Sequence, residues 1–239
     1  MKGEMRALGV AHGLLLGMVL AAPWTGPQAM ERGIETVFIL SAFQIRLADR
    51  RMALRPGWRG WTSHIRMAPR RLATWAALAI AALIAMPHRP EAAASTLAAA
   101  LLGELLLYPV SAGLLPRLSR AHLAWIVMAM LLCCAMTDTA LLRLMAAFVA
   151  GVSACLYWLR GPDGDARRLA VALCATGLSA FAAVQWPETA RFCVPGAGIA
   201  LALALAHISV IRRPAHHWRL GGGAYRFRPE RRRLRLRPF

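Results

Sequence analysis

Ala99-Ala100-Leu101-Leu102-Gly103-Glu104-Leu105-Leu106-Leu107-Tyr108-Pro109 is the stretch that decides the class of this chain. It lies near the middle of an apolar block running from 92 to 115, longer than the roughly 20 residues a helix needs to cross the hydrocarbon of a bilayer. The block holds one formally charged side chain, Glu104. A carboxyl at that depth must be protonated, paired with a cation, or turned into a wet cavity inside a bundle. Tyr108 follows at i+4 and is expected on the same helix face, able to donate to the carboxylate or line the same cavity.

Outward from this block the pattern repeats. Further apolar blocks occupy 7 to 22, 31 to 47, 72 to 87, 121 to 137, 139 to 159, 168 to 186 and 191 to 211. The fold class expected is therefore all-α, a polytopic transmembrane bundle of about eight spans. Residues 1–211 form the membrane-embedded domain and 212–239 an arginine-rich tail. The 239 residues are 58% hydrophobic and 17% charged, with a mean hydropathy of +0.48. A soluble globular enzyme departs from both fractions in the opposite direction.

The formal charge of +18 would suggest nucleic acid in a soluble protein, so the positions of the basic residues matter. Of the 29, 25 fall in alternate loops and at the two ends: Lys2 and Arg6, Arg46 to Arg71, Arg117 and Arg120, Arg160 to Arg168, and Arg212 to Arg237. Only Arg32, Arg89, Arg143 and Arg191 lie on the other side. That asymmetry places both termini in the cytoplasm and makes the basic charge topological, with membrane lipids and no nucleic acid as partners. The start at Met1 to Arg6 with Ala21-Ala22 would also suit a signal peptide, but Glu4 and His12 favour a retained span. The tail, with Gly221-Gly222-Gly223 and the run Arg231 to Arg237, has too few apolar residues to pack and suits anionic headgroups. The five cysteines all sit inside apolar blocks without a CxxC pair and read as packing residues, so no metal site is expected.

Besides Glu104, the ionisable side chains inside spans are His12, Glu35, Arg143 and His207. Glu35 and Arg143 lie about one turn from the outer boundary, where they are expected to reach water. His12 and His207 fall roughly 6 to 9 Å deep on the inner half, at about 1.5 Å of rise per residue. With Glu104 a few turns above, they suit a proton-handling pocket that opens inward. Gly151-Val152-Ser153, with His207 further on, is similar to the G-x-S of intramembrane serine proteases. The small-residue pattern expected after the histidine is replaced by Ile208-Ser209-Val210-Ile211-Arg212, so proteolysis is not expected.

In the second block, Gly33-Ile34-Glu35-Thr36-Val37-Phe38-Ile39-Leu40-Ser41-Ala42-Phe43 resembles the G-V-D-x-F-F-x-L-S-G-F segment of the membrane-bound acyltransferase family 3, which includes relatives that modify periplasmic glucans. Arg66 to Trp75 is similar to that family's arginine-rich entry into its third span. Glu104 with Tyr108 and Pro109 looks like its E-x-x-x-Y element, and Leu114 to Arg120 like the basic turn that follows. The resemblance implies a bacterial inner-membrane O-acyltransferase, shortened at its C-terminal end. Such a protein holds no bound cofactor and uses acyl-CoA as cytoplasmic co-substrate and a glycan or other hydroxyl as acceptor. By the same resemblance His12 acts as general base and Glu104 tunes the pocket. Arg66, Arg70 and Arg71 grip the donor phosphates, and Glu35, Ser41 and Tyr108 line the substrate path. Two alternatives from other classes remain. One is a degenerate member that scaffolds a polysaccharide synthesis or export complex; the other is a proton-coupled transporter with His12, Glu104 and His207 as relay.

Overall fold

The structure, a computed structural model, describes residues 9–10, 13–14, 27–48, 58–85, 87–161 and 166–211. All of its described elements are helical: α1 (Pro27–Ala48), α2 (Trp58–Ala85), α3 (Pro90–Leu102), a π-helical turn (Gly103–Leu107), α4 (Tyr108–Leu114), a 3-10 turn (Leu115–Arg117), α5 (Arg120–Met136), α6 (Ala140–Leu159), α7 (Ala166–Gln185), a second 3-10 turn (Pro187–Thr189) and α8 (Ala190–Ile211). Seven of the apolar blocks read from the sequence coincide with these helices. Of the block 7–22 only residues 9–10 and 13–14 are described, and His12 within it and the tail 212–239 lie outside the described residues.

Four helical stretches among the described residues are long and apolar enough to cross a membrane: Pro90–Arg117, Ala140–Leu159, Ala166–Gln185 and Pro187–Ile208. The apolar part of α2, Arg71–Ile84, and helix α5 are shorter than that. Helix α1 carries Arg32, Glu35 and Arg46 along its length. The count of about eight that apolar blocks alone suggest thus divides into four full-length apolar helices and others that are short or charged.

Local sequence explains where the helices begin. Pro90 stands at the start of α3, where its missing N–H costs nothing, with Glu91 in the first turn. At α5, Ser119 is the cap, its hydroxyl accepting from the His122 amide. Helix α6 is the hub. It packs against α1, α3 and α5, and 67% of its span is buried, against 6% for α7, which leans chiefly on α8. The outward side chains are apolar as well: Trp125, Leu178 and Val184 are each about three-quarters exposed. Water penalises such a surface and lipid tails accept it.

The α1–α6 crossing is held close by a glycine. A Cβ on Gly151 would sit 2.3 Å from the Ile39 carbonyl oxygen and 2.9 Å from the Ala42 Cβ. Around this crossing Phe38, Phe43, Phe148, Leu78, Leu123 and Tyr108 are fully buried.

Candidate functional site

Pro109 sets the local geometry around Glu104. Proline has no N–H, so it gives no hydrogen bond to Leu105 O, its α-helical partner, or to Glu104 O, its π-helical one. The Tyr108 amide in turn bonds to Gly103 O, which makes Gly103–Leu107 a π-turn. Two carbonyls in this apolar stretch are thereby released, and such groups must find donors.

Helix α2 supplies both donors. Trp61 Nε1 donates to Leu105 O at 3.0 Å, and His64 Nε2 lies 2.9 Å from Glu104 O. A carbonyl only accepts, so His64 Nε2 carries a proton that it donates to Glu104 O. Trp61→Phe keeps the ring's bulk but leaves Leu105 O without this donor. The expected loss is about 1–3 kcal/mol of stability, read as a lowered thermal midpoint in detergent.

The Glu104 side chain is fully buried and both of its oxygens are engaged. Arg71 Nε donates to Oε2 at 2.6 Å and Trp75 Nε1 to Oε1 at 3.1 Å. Of the three routes open to this acid, the structure takes pairing with a cation. Arg71 Nη2 also donates to the His64 carbonyl at 3.3 Å and lies 3.4 Å from His64 Nδ1. The Tyr108 ring stacks on His64 with centroids 4.6 Å apart, and Phe38 packs on Trp75 at 4.2 Å. One centre thus joins a carboxylate, a guanidinium, an imidazole and a phenol ring, with the Arg71 side chain still 29% exposed.

Arg71 was expected to hold donor phosphates together with Arg66 and Arg70, but its Nε is committed to Glu104. The cause is electrostatic: a buried acid takes the nearest cation. Arg66 is exposed, and the Arg70 side chain lies outside the described residues. Tyr108 is buried, and its ring stacks on His64. Ser41 is buried on α1.

A second buried ion cluster corrects the expectation that Glu35 and Arg143 reach water. Glu35 is fully buried, with Oε1 3.0 Å from Arg143 Nε and 3.6 Å from Arg32 Nη1. Arg143 is 9% exposed, and its carbonyl accepts from Cys134 Sγ. Opposite charges on α1 and α6 satisfy each other more cheaply than either could by stretching to the surface. His207 is buried elsewhere, edge-on to Trp158 with centroids 6.3 Å apart.

The sequence reading passed over Trp61, His64 and Trp75. Their signal was present: with Arg71 they are spaced 3, 7 and 4 residues apart, which is one face of a helix. The arginines among them made the region read as a loop. Among the described residues no group of three or more His, Cys, Asp or Glu side chains gathers as metal ligands would. No protein-family model, curated protein or solved structure matches this chain significantly.

Proposed function

We propose that this chain is a bacterial inner-membrane O-acyltransferase of about eight spans with both termini in the cytoplasm. It moves an acyl group from a cytoplasmic acyl-CoA to the hydroxyl of a glycan or similar acceptor. The observation that carries the reading is the Glu104–Arg71–His64 centre. A carboxylate fully buried in an apolar helix is kept beside an imidazole that donates from Nε2 to the Glu104 carbonyl. The motif resemblance at Gly33 to Phe43 supplies the reaction class.

In the reaction, the acceptor oxygen forms a C–O bond at the thioester carbonyl while the C–S bond breaks. The hydroxyl proton passes to an imidazole and then to the departing thiolate, so that free thiol leaves. His12 is that imidazole by the resemblance, and His64, whose Nε2 meets the Glu104 carbonyl, is the imidazole that stands at the centre. Trp75 and Arg71 both hold the Glu104 carboxylate, and Arg71 in turn faces the His64 ring. Loss of a general base costs about a hundredfold or more in rate. His12→Ala and His64→Ala, each confirmed to insert, are therefore assayed in proteoliposomes with labelled acetyl-CoA and a glycan acceptor. One of the two is expected to show that loss. Undiminished transfer in both removes imidazole catalysis from the reading, and absence of transfer by the unaltered chain removes the reaction itself.

One observation favours the scaffold reading instead. Both Glu104 oxygens already have donors, as in a structural clasp between helices. Under that reading no acyl transfer occurs, and deleting the chain lowers the amount of surface polysaccharide without changing its acylation, as mass spectrometry of surface glycans would show.

A further inference from the structure

One short stretch of α1, from Glu35 to Ile39, is gripped by three other helices. Glu35 Oε1 meets Arg143 Nε of α6 at 3.0 Å, and the Phe38 ring lies on Trp75 of α2 with centroids 4.2 Å apart. On α8, a Cβ added to Gly198 would sit 3.1 Å from Thr36 Cγ2 and 3.4 Å from Ile39 Cδ1. The Ile39 carbonyl is also the atom that leaves no room for a side chain at Gly151 of α6. Held on all these sides, the stretch moves as one piece.

That piece joins the two buried ion clusters. Glu35 and Phe38 are three residues apart and so are neighbours on the helix surface. Phe38 lies on Trp75, and the Trp75 indole nitrogen donates to Glu104 Oε1 at 3.1 Å. Glu35, Phe38 and Glu104 are fully buried and Trp75 is 3% exposed, so close packing leaves little slack to absorb a shift along this line. The two bonds to the Glu104 carboxylate differ in how much displacement they tolerate. Arg71 Nε stands 2.6 Å from Oε2, whereas the Trp75 bond lies near the long end of the ordinary range of about 2.7–3.2 Å. A displacement of roughly a few tenths of an ångström therefore weakens the Trp75 bond first.

We infer that Glu35, Arg143 and Phe38 are positioning residues for the Glu104 centre. The ion pair between α1 and α6 sets the angle of the α1 stretch, and Phe38 carries that setting to Trp75 and so to the carboxylate. Losing the acid leaves Arg143, only 9% exposed, without this partner, and the rearrangement that follows has α1 as its first neighbour. A pair that merely fastened α1 to α6 would loosen the fold evenly instead. The inference concerns the geometry of the centre and holds whether or not acyl transfer takes place there.

The test follows hydrogen–deuterium exchange of the tryptophan indole N–H groups by NMR, using the full chain isotopically labelled at tryptophan in neutral detergent. Trp75→Phe and Trp61→Phe assign the two signals that matter. Trp61 is the internal reference, because its indole donates to Leu105 O in the same π-turn rather than to the carboxylate. Glu35→Gln is expected to speed Trp75 exchange about fivefold or more, as loss of one ordinary hydrogen bond does, and Trp61 exchange less than about twofold. In a Phe38→Leu background the same Glu35→Gln change is expected to add less than about twofold at Trp75. Asp138→Asn, which breaks the exposed pair with Arg191, is expected to alter neither signal. Should Glu35→Gln not fold, Glu35→Asp keeps the charge and shortens the side chain by a methylene, with a smaller acceleration expected at Trp75 alone. Unchanged Trp75 exchange overturns the inference, as does equal acceleration of both indoles or an effect that persists undiminished beside Phe38→Leu.

Discussion

Arg71→Met is expected to destabilise the protein by about 3–5 kcal/mol, and Glu104→Gln added to it to restore most of that loss. The asymmetry follows from where the partners sit. Glu104 is fully buried and Arg71 is 29% exposed, so removing the arginine strands a charge that water cannot reach, while removing the acid leaves a cation that can still find solvent. Hydrogen bonds between membrane helices average only about 0.6 kcal/mol, so a loss of that size would mean that hydrogen bonding alone joins the pair. A loss several times larger marks an uncompensated charge. Unfolding in mixed micelles of the two single variants and the double gives the coupling directly. Simple addition of the two single effects would show that Arg71 and Glu104 stabilise the fold independently.

The centre was legible in the sequence through its acid and through little else. An isolated carboxylate in a block of leucine and alanine has no surface to reach, so its burial follows from hydropathy alone. Its partner does not follow. Arg71 stands at the edge of an apolar run, where arginines are ordinarily read as boundary markers. Helix α2 extends a dozen residues further toward Trp58 than its hydropathy suggests. The π-turn was equally hidden. Pro109 was read as part of a motif, yet its physical consequence is the pair of carbonyls it leaves for Trp61 and His64. Glu35 and Arg143 show the converse. Each looked close enough to the boundary to be solvated when taken alone, and the pairing appears only once α1 and α6 are known to touch.

That contact rests on Gly151, and a series of three glycines separates close approach from mere helix content. At Gly151 a Cβ would meet the backbone oxygen of Ile39 at 2.3 Å, so α1 and α6 must move apart to admit it. At Gly103 the nearest atoms belong to the Phe148 side chain, 3.1 Å away, which a small ring shift relieves. At Gly177 nothing lies within 4 Å. Gly151→Ala is therefore expected to cost about 2–3 kcal/mol from overpacking against backbone, and Gly103→Ala about 1 kcal/mol or less. Gly177→Ala is expected to gain a few tenths up to about 1 kcal/mol, because alanine is the better helix former. The separation forced by Gly151→Ala also lengthens the Glu35–Arg143 pair, which lies one to two turns along the same two helices. A second substitution, Glu35→Gln, should then cost less in the Gly151→Ala background than in the unaltered protein. Thermal midpoints in detergent rank the series; equal midpoints for Gly151→Ala and Gly177→Ala would mean that α1 and α6 do not cross at Ile39.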